Sequence, residues 1–435
     1  MEDFYAYRSG EHYKLMNVSK NKYYAINDEG FSFFKNYLNG NITRALSADE
    51  KAFLSEIEGD TFQDTRDVLP DYKKKIFHIQ WHITGLCNLR CKHCYQEKYT
   101  TNLDLSLEGL KKVFDNYCDL IDSYDMLPEI SITGGEPLSS PYIFDLLNYI
   151  RSTKAETHIN LLTNGTLIDD KMCKKLLENH VYGVQISLDG YDAATHDLIR
   201  GVGNFQKAVS AIGKLHKYGI SVAVHCVLFA SNIDHLEDYV KFCIQHHVDK
   251  LTFSRYVPFG GSTKNHIQML SPLKMHEVYQ QIYDLSQKYP EANINLGRDF
   301  WQLIDCSCGS VCPVGDCTLT ILNDGTVLPC RRLPLFMGNA STEKLTLIIF
   351  RSKIWEKMQN NTASQCKGCD HITTCKAGCQ GIAYTYFGEL MEKADPQCWI
   401  LHDKLPSPQE NHDEYNEQQG YYTLNHNKSI YENEL

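Results

Sequence analysis

Three cysteines lie within eight residues of one another, at Cys87, Cys91 and Cys94, directly after an extended run. Thiolates this close in sequence cannot cross-link distant parts of a domain, so the spacing favours a metal site. Iron–sulfur clusters take cysteine thiolates, usually four, and structural zinc takes four tetrahedral ligands. Three local ligands leave one coordination position open, and an open position is where chemistry takes place. The alternative interpretation is a zinc site or a chance group of cysteines.

The Cys-x3-Cys-x2-Cys spacing of this loop resembles the hallmark of the radical SAM enzymes. The resemblance implies that Cys87, Cys91 and Cys94 hold a [4Fe–4S] cluster whose unique iron binds the methionine end of S-adenosylmethionine (SAM). One electron would then cleave SAM to a 5′-deoxyadenosyl radical, which abstracts hydrogen from an unactivated C–H bond. The three cysteines are therefore the predicted catalytic and cluster-binding residues.

Further motifs of this family follow the predicted strands. The Gly-Gly-Glu segment that ends at Glu136 matches the family's contact to the methionine amino group, and adjacent glycines permit close backbone approach. By the same resemblance, Ser187 reaches the SAM ribose or carboxylate, Arg200 pairs with the carboxylate, and His93 lies near the adenine. Arg200 could instead form a surface ion pair. The predicted SAM-binding residues are His93, Gly134, Gly135, Glu136, Ser187, Asp189 and Arg200.

A second group of cysteines begins near residue 306, and its order and spacing closely resemble the SPASM extension of radical SAM enzymes. The resemblance implies two auxiliary [4Fe–4S] clusters, which brings the total to three. Cys306 and Cys308 lie close to Cys317 and could replace it as a ligand. The first auxiliary cluster is assigned to Cys312, Cys317, Cys330 and Cys379, and the second to Cys366, Cys369, Cys375 and Cys398.

The elements that must position these residues alternate between strands and helices. Such alternation predicts parallel β/α units, and six units resemble the partial (β/α)6, TIM-type barrel of radical SAM proteins. Apolar and polar residues alternate along the strands, so we expect His78, Gln80, Gln185 and Ser187 to line an open cavity inside the barrel. The predicted strands span residues 76–83, 129–133, 158–163, 184–189, 222–228 and 251–256.

Residues 1–60 are predicted to form a separate unit with strands at 13–18 and 22–26, a turn at 27–30 and a first helix at 31–38. A capping box at 47–50 is predicted to open a second helix that runs to residue 57. This order resembles the winged-helix-like domains, similar to the pyrroloquinoline-quinone chaperone, that bind leader peptides by strand addition. A generic N-terminal extension is the alternative. The predicted organisation is residues 1–60 for leader recognition, 61–75 as a linker, 76–295 as the barrel, 296–405 as the SPASM domain and 406–435 as a polar tail.

Composition and charge argue against some classes of protein and favour a cytoplasmic metal or redox protein. The net charge of −11 argues against general nucleic-acid or anionic-membrane binding. The polar first ten residues contain no signal-peptide core. Seventeen cysteines in a long chain are typical of metal or redox sites in a reducing cytoplasm.

These features together predict an α/β radical SAM/SPASM maturase that modifies a ribosomally made peptide. Its product would be a thioether, a carbon–carbon cross-link or another oxidation, and an electron donor such as flavodoxin or ferredoxin would serve it. An anaerobic sulfatase-maturating enzyme shares the three-cluster layout, but that family places an aspartate where Arg331 follows Cys330. A non-catalytic zinc-binding peptide adaptor is the third possibility.

Overall fold

The computed structural model describes most of the barrel and its C-terminal extension, and four segments of the N-terminal unit. Nearly all of the predicted linker, the predicted tail and Cys306 lie outside the described residues. The described residues are 4–9, 12–17, 22–38, 42–59, 75–96, 99–265, 267, 269–297, 300–305, 307–309, 312–359, 363–388 and 390–401.

The N-terminal unit contains an antiparallel sheet with the order β1-β2-β3, followed by two helices. Its elements are β1 (Phe4–Ser9), β2 (His12–Asn17), β3 (Lys22–Ile26), α1 (Asp28–Leu38) and α2 (Ala48–Gly59). Strand β1 was not predicted from the sequence. It pairs with the whole of β2, which leaves β1 and β3 as the edges of the sheet.

Two local signals in this unit had different outcomes. The segment 27–30 was predicted to be a turn, but it opens α1, because the Asn27 side chain accepts a hydrogen bond from the Gly30 amide at 2.7 Å. The predicted capping box of α2 is confirmed. The Ser47 amide donates to Glu50 at 2.8 Å, and the Glu50 amide donates to the Ser47 hydroxyl at 3.2 Å.

Six consecutive parallel strands form the barrel, at the positions predicted from the sequence to within two residues. They are β4 (Ile76–His82), β5 (Leu127–Thr133), β6 (His158–Thr163), β7 (Gly183–Ser187), β8 (Ser221–Leu228) and β9 (Lys250–Arg255). The helices that accompany them are α3 (Leu107–Tyr124), α4 (Ile143–Thr153), α5 (Asp170–Glu178), α6 (Ala193–Arg200), α7 (Asn204–Lys217), α8 (Leu236–Gln245) and α9 (Pro272–Lys288).

The predicted strand register is confirmed. Phe77, Ile79 and Trp81 of β4 are buried in the main hydrophobic core, whereas His78 and Gln80 between them are only half-buried. His78 bonds Ser131 of β5 through Nε2 at 2.9 Å, so the polar residues of adjacent strands share one face. Gln185 and Ser187 of β7 show the same half-buried pattern. The face of the strands that points away from the main core is therefore polar and only partly buried.

The C-terminal region extends the same sheet, which the sequence did not predict. Strand β10 (Thr318–Ile321) lies parallel to β4, and β11 (Thr326–Leu328) and β12 (Gly338–Asn339) follow it in antiparallel order. The remaining helices are α10 (Trp301–Ile304), α11 (Leu345–Arg351), α12 (Lys353–Gln359), α13 (Ile372–Cys375) and α14 (Gln380–Phe387). Within the described ranges, no helix is both long and apolar enough to span a membrane.

Candidate active site

The cysteine loop follows β4 and is clamped against the segment that follows β5. The Gly135 amide donates to the Thr84 carbonyl at 2.8 Å, and the Glu136 amide donates to the Leu86 carbonyl at 2.7 Å. A Cβ atom on Gly135 would lie 2.4 Å from the Leu86 oxygen and 2.9 Å from the Cys87 Cβ. The glycine is therefore required for the close approach of two backbones, and that approach positions Cys87.

A carboxylate that sequence reasoning missed supports the other side of the loop. Asp104 accepts a hydrogen bond from the Thr84 hydroxyl at 2.5 Å and from the Gly85 amide at 2.8 Å. It also accepts one from the side-chain amide of Asn323, just after β10, at 2.8 Å. Asp104 thus links the cysteine loop to the C-terminal region. The available sequence signal was an acidic residue just before Ser106, the N-cap of α3.

The three predicted ligands lie together on this loop, and each is partly buried. Burial raises the pKa of the Cys87 thiol to about 12, and the neighbouring Glu136 carboxyl and the other two thiols add to the effect. Burial also raises the pKa of Cys91, although the Arg200 guanidinium opposes it. The protein alone therefore keeps the Cys87 and Cys91 thiols protonated, and a bound metal would displace their protons.

The donor set fits a cluster better than a single ion. Among the described residues, no three Cys, His, Asp or Glu side chains converge on a point where one ion could bind. Tetrahedral zinc requires that convergence, whereas each thiolate of a [4Fe–4S] cluster binds a different iron.

Behind the loop lies a buried arrangement of three predicted SAM-binding residues. The Arg200 Nε atom donates to Asp189 at 2.6 Å, and both side chains are almost completely buried. The Nη1 atom of Arg200 lies 3.9 Å from the Cys91 sulfur, and its Nη2 atom lies 3.4 Å from Nε2 of His93. Arg200 is therefore not a surface ion pair, and its guanidinium reaches the cysteine loop.

The charges of this group are fixed at neutral pH. Burial alone would raise the pKa of Asp189, but the Arg200 guanidinium holds it well below its usual range. Burial lowers the pKa of His93 to about 3, so the ring is neutral. Its Nδ1 atom is buried and has no hydrogen-bond partner. An unsatisfied polar atom beside the cysteine loop fits a site built to receive a polar ligand such as SAM.

At Glu136 the structure differs from our expectation of a carboxylate facing the SAM ammonium group. Its side chain is fully buried and accepts hydrogen bonds from the Thr163 hydroxyl at 2.7 Å and the Asn164 amide at 2.9 Å. Asn164 in turn donates to Asn88 of the cysteine loop at 2.9 Å. Glu136 thus ties the ends of β5 and β6 to the loop, because a buried carboxylate requires such partners.

Four of the predicted auxiliary cysteines line one small cavity. Burial raises the pKa of Cys366 to about 11 and that of Cys375 to about 12, and the thiols of this set influence one another. The rest of the lining is mostly apolar. The cysteines of the cavity are Cys366, Cys369, Cys375 and Cys398, and their apolar neighbours include Phe300, Leu303, Ile372 and Ile400.

The other predicted set is distributed over the C-terminal region. The Cys317 carbonyl accepts from the His78 amide at 2.9 Å, so this residue lies beside β4. The Cys330 sulfur accepts from the Arg332 amide at 3.4 Å, and the Cys379 amide donates to Asp395 at 2.8 Å. Cys312 is exposed. None of these contacts joins two of the four cysteines, so their grouping stays a prediction. Cys308, the described alternative to Cys317, packs partly buried against the main core.

One further side chain of the C-terminal region reaches the cysteine loop. The Arg331 guanidinium carbon lies 4.2 Å from the centroid of the Tyr95 ring, next to Cys94. The Tyr95 hydroxyl lies 3.3 Å from Nδ1 of His82. The Tyr95 ring stacks on the Phe259 ring, with 5.4 Å between the ring centroids. Sequence reasoning noted Arg331 only as a departure from another family's aspartate.

Two family models match the chain. The model of the radical SAM superfamily matches residues 81–243, and the SPASM model, an iron–sulfur cluster-binding domain, matches residues 312–370. The first range contains the cysteine loop and Arg200. The second contains Cys312, Cys330, Cys366 and Cys369.

Curated relatives resemble most of the chain. An AdoMet-dependent heme synthase from Nitratidesulfovibrio vulgaris is 26% identical over 345 residues, which are 74% of this chain and 91% of the relative. Mycofactocin maturase MftC from Mycobacterium tuberculosis is 27% identical over 358 residues, which are 77% of this chain and 85% of the relative.

Solved structures share the fold. Streptococcus suis SuiB bound to precursor peptide SuiA has a TM-score of 0.59 at 15% identity and covers 91% of this chain and 98% of its own. Native anSMEcpe with bound AdoMet has a TM-score of 0.60 at 20% identity and covers 78% of this chain and 96% of its own. The family models therefore show a region similar to the radical SAM superfamily at residues 81–243 and a region similar to the SPASM iron–sulfur domain at residues 312–370, and the solved structures show that the fold is shared.

Proposed function

We propose that this enzyme modifies a ribosomally made precursor peptide. The observation that carries the proposal is the extent of the likeness to SuiB. Residues 75–435 make up 83% of the chain, so a match over 91% takes in part of the N-terminal unit. The printed description of that structure names a bound precursor peptide, and MftC is named as a maturase, which supports a peptide substrate here.

In this proposal Cys87, Cys91 and Cys94 hold the SAM cluster. When bound, the cluster and SAM supply a radical able to remove hydrogen from an unactivated C–H bond. Asp189 holds the Arg200 side chain through Nε, which leaves its two Nη groups directed toward the loop. The free His93 Nδ1 atom supports a polar contact to SAM. The backbone of residues 134–136, rather than the Glu136 carboxylate, would meet the methionine end.

Two auxiliary [4Fe–4S] clusters complete the proposed total of three. The cavity lined by Cys366, Cys369, Cys375 and Cys398 supports one of them, because four thiols can saturate a cluster. Cys312, Cys317, Cys330 and Cys379 would hold the other. An electron donor such as flavodoxin or ferredoxin, in the cytoplasm, would supply the first electron. The product would be a thioether or carbon–carbon cross-link, or a related oxidation.

The N-terminal unit, residues 1–60, would bind the leader by strand addition. Strand β3 lies at an edge of its sheet, which is the requirement for adding a strand. The core peptide would then enter the polar interior of the barrel, within residues 76–295. Residues 296–405 would hold the auxiliary clusters, with residues 61–75 as a linker and 406–435 as a tail.

A second candidate function is synthesis of a heme-type product, because AdoMet-dependent heme synthases are among the curated relatives. Those relatives align over 74–76% of this chain. The N-terminal sheet favours the peptide substrate.

The test uses the small peptide encoded beside the gene, with anaerobically reconstituted enzyme, SAM and dithionite. We expect a mass decrease of the peptide by two hydrogen atoms together with 5′-deoxyadenosine. Deletion of residues 1–60 should abolish peptide turnover but spare SAM cleavage without peptide. A truncation that loses both activities while retaining its iron, or a full-length enzyme that leaves the peptide unchanged, would refute the proposal.

A further inference from the structure

Arg331 occupies an unusual position for a residue of the C-terminal region. Its guanidinium carbon lies 4.2 Å above the ring of Tyr95, which directly follows the cluster ligand Cys94. Tyr95 is anchored on two sides, by stacking on Phe259 at an interplanar angle of 15° and by its hydroxyl contact to His82. The guanidinium is therefore held on an aromatic platform beside the cysteine loop.

The carboxylates that support the cysteine loop and the strand ends are engaged with other groups. Asp189 accepts from Arg200, Glu136 accepts from Thr163 and Asn164, and Asp104 accepts from Thr84 and Gly85. Among the described residues, no carboxylate forms an ion pair with Arg331, whose described contact is the Tyr95 ring. Arg331 is only half-buried, so part of its side chain remains accessible.

His82 and His225, the histidines near Arg331, add no charge of their own at neutral pH. Burial, with the Arg331 charge as a further cause, lowers the pKa of His82 to about 3. Burial also lowers the pKa of His225, on the polar face of β8, to about 4, and Arg331 and Arg332 contribute. The contact of Arg331 with Tyr95, whose hydroxyl group meets the buried His82 at the end of β4, places the guanidinium beside the carboxyl end of that strand.

We propose that Arg331 binds a carboxylate of the peptide substrate at the entrance to the barrel interior. This assignment rests on the proposed function and specifies the chemistry of its substrate. An arginine fork matches the geometry of a carboxylate and presents several donors to it. The Tyr95–Phe259 stack beside it offers apolar surface for the atoms that carry the carboxylate. The carboxylate is supplied either by an acidic side chain or by the C-terminus of the peptide.

Two other roles for Arg331 would give different results. If Arg331 bound the carboxylate of SAM, its loss would raise the KM for SAM as much as the KM for the peptide. If it served to offset the negative charge of a cluster on Cys330, its loss would shift a cluster potential and leave the peptide KM unchanged. The experiment separates these outcomes by measuring both KM values and the potentials on the same samples.

The experiment compares wild-type holoenzyme with Arg331→Gln, Arg331→Lys and the matched control Arg351→Gln, an exposed arginine of the same region. The probes are the precursor peptide, its C-terminal amide, and versions with each Glu or Asp replaced by Gln or Asn. Loss of one charge-assisted contact should raise the peptide KM of Arg331→Gln about 10- to 100-fold. Arg331→Lys should recover part of that loss, and Arg351→Gln should match the wild type.

With the wild-type enzyme, one of the altered peptides should show the same increase in KM that Arg331→Gln causes with the natural peptide. With Arg331→Gln, that altered peptide should show little further increase, as a double-mutant cycle predicts for two groups in contact. Whether that peptide is the C-terminal amide or a side-chain variant identifies the source of the carboxylate. An unchanged peptide KM in Arg331→Gln, additive effects for every peptide, or an equal rise in the SAM KM would overturn the assignment. Failure of the wild-type enzyme to modify the precursor would instead refute the proposed function itself.

Discussion

The loop at Cys87–Cys94 and the cavity around Cys366 both gather cysteines, but their surroundings differ. The loop brings three thiols next to the Arg200 guanidinium and the His93 ring, and its backbone is clamped by neighbouring strand ends. The cavity brings four thiols together among Phe300, Leu303 and other apolar side chains.

The difference in surroundings indicates two different roles, ligand binding at the loop and electron transfer at the cavity. In the proposed function, three thiols with charged and polar groups beside them leave one iron of a cluster open to a polar ligand. Four thiols in an apolar cavity leave no ligand position, which suits a cluster that transfers electrons. Cluster potentials depend on hydrogen bonds and exposure, so the two sites are expected to have different potentials even with the same type of cluster.

The largest effect is expected from adding a side chain at Gly135, where two backbone segments approach closely. A Cβ in Gly135→Ala would meet the backbone oxygen of Leu86 at 2.4 Å, and backbone cannot move aside easily. We expect loss of the SAM cluster and of all SAM cleavage, with the auxiliary clusters retained, as measured by iron content and 5′-deoxyadenosine release.

The matched control is Gly213→Ala within α7, where a Cβ would meet no atom within 4 Å. It should keep full activity and gain about 0.4–1 kcal/mol of stability. Normal SAM cleavage by Gly135→Ala would show that the close approach of the two backbones is not what positions Cys87.

A smaller effect is expected on the auxiliary side. Asp395, between Cys379 and Cys398, forms an ion pair with Arg255 of β9 at 2.9 Å, and both side chains are fully buried. Asp395→Asn leaves the guanidinium buried without its counter-charge. The free energy of unfolding of the metal-free protein should fall by about 3–5 kcal/mol, measured by urea denaturation. A loss below about 1 kcal/mol, the value typical of exposed pairs, would contradict this assignment.

The smallest effect concerns pH. The pKa of His82 in the folded protein is about 3 because of burial. The unfolded chain protonates this residue below about pH 6.5, so stability is lost as pH falls through that value toward 3. Between pH 6.5 and 5, the free energy of unfolding of the metal-free wild type should fall by about 2 kcal/mol more than that of His82→Asn. If the free energy of unfolding changed equally with pH in the two proteins, the lowered pKa of His82 would be refuted.

The barrel could be predicted because its signal is local. Alternation in segments such as Phe77–Gln80 fixes which side chains enter the core, and a one-residue slip would reverse every one of them. Strand β1 was missed because its aromatic residues stand in a short polar segment, and only pairing with β2 reveals it. Helix α1 was predicted to begin at Phe31 because Asn27 reads equally as a turn residue and as a helix cap.

The parts of the site that could not be predicted depend on distant contacts. Nothing near Arg331 indicates that it will lie over Tyr95, more than 200 residues earlier, because the contact requires β10 to join the barrel sheet beside β4. Glu136 belongs to a recognisable motif, yet its buried bonds to Thr163 and Asn164 emerge only when β5 and β6 are adjacent.

The central claim is that the loop holds the cluster that cleaves SAM, and iron analysis of matched cysteine variants tests it most directly. Reconstituted wild type should contain about twelve irons per chain. Replacing Cys87, Cys91 and Cys94 together with Ala should remove about four irons and all SAM cleavage. Replacing the buried core residue Cys173 with Ala should remove none, because it lies outside every proposed cluster. Retention of SAM cleavage by the triple variant, or zinc in place of iron and sulfide in the wild type, would contradict the account.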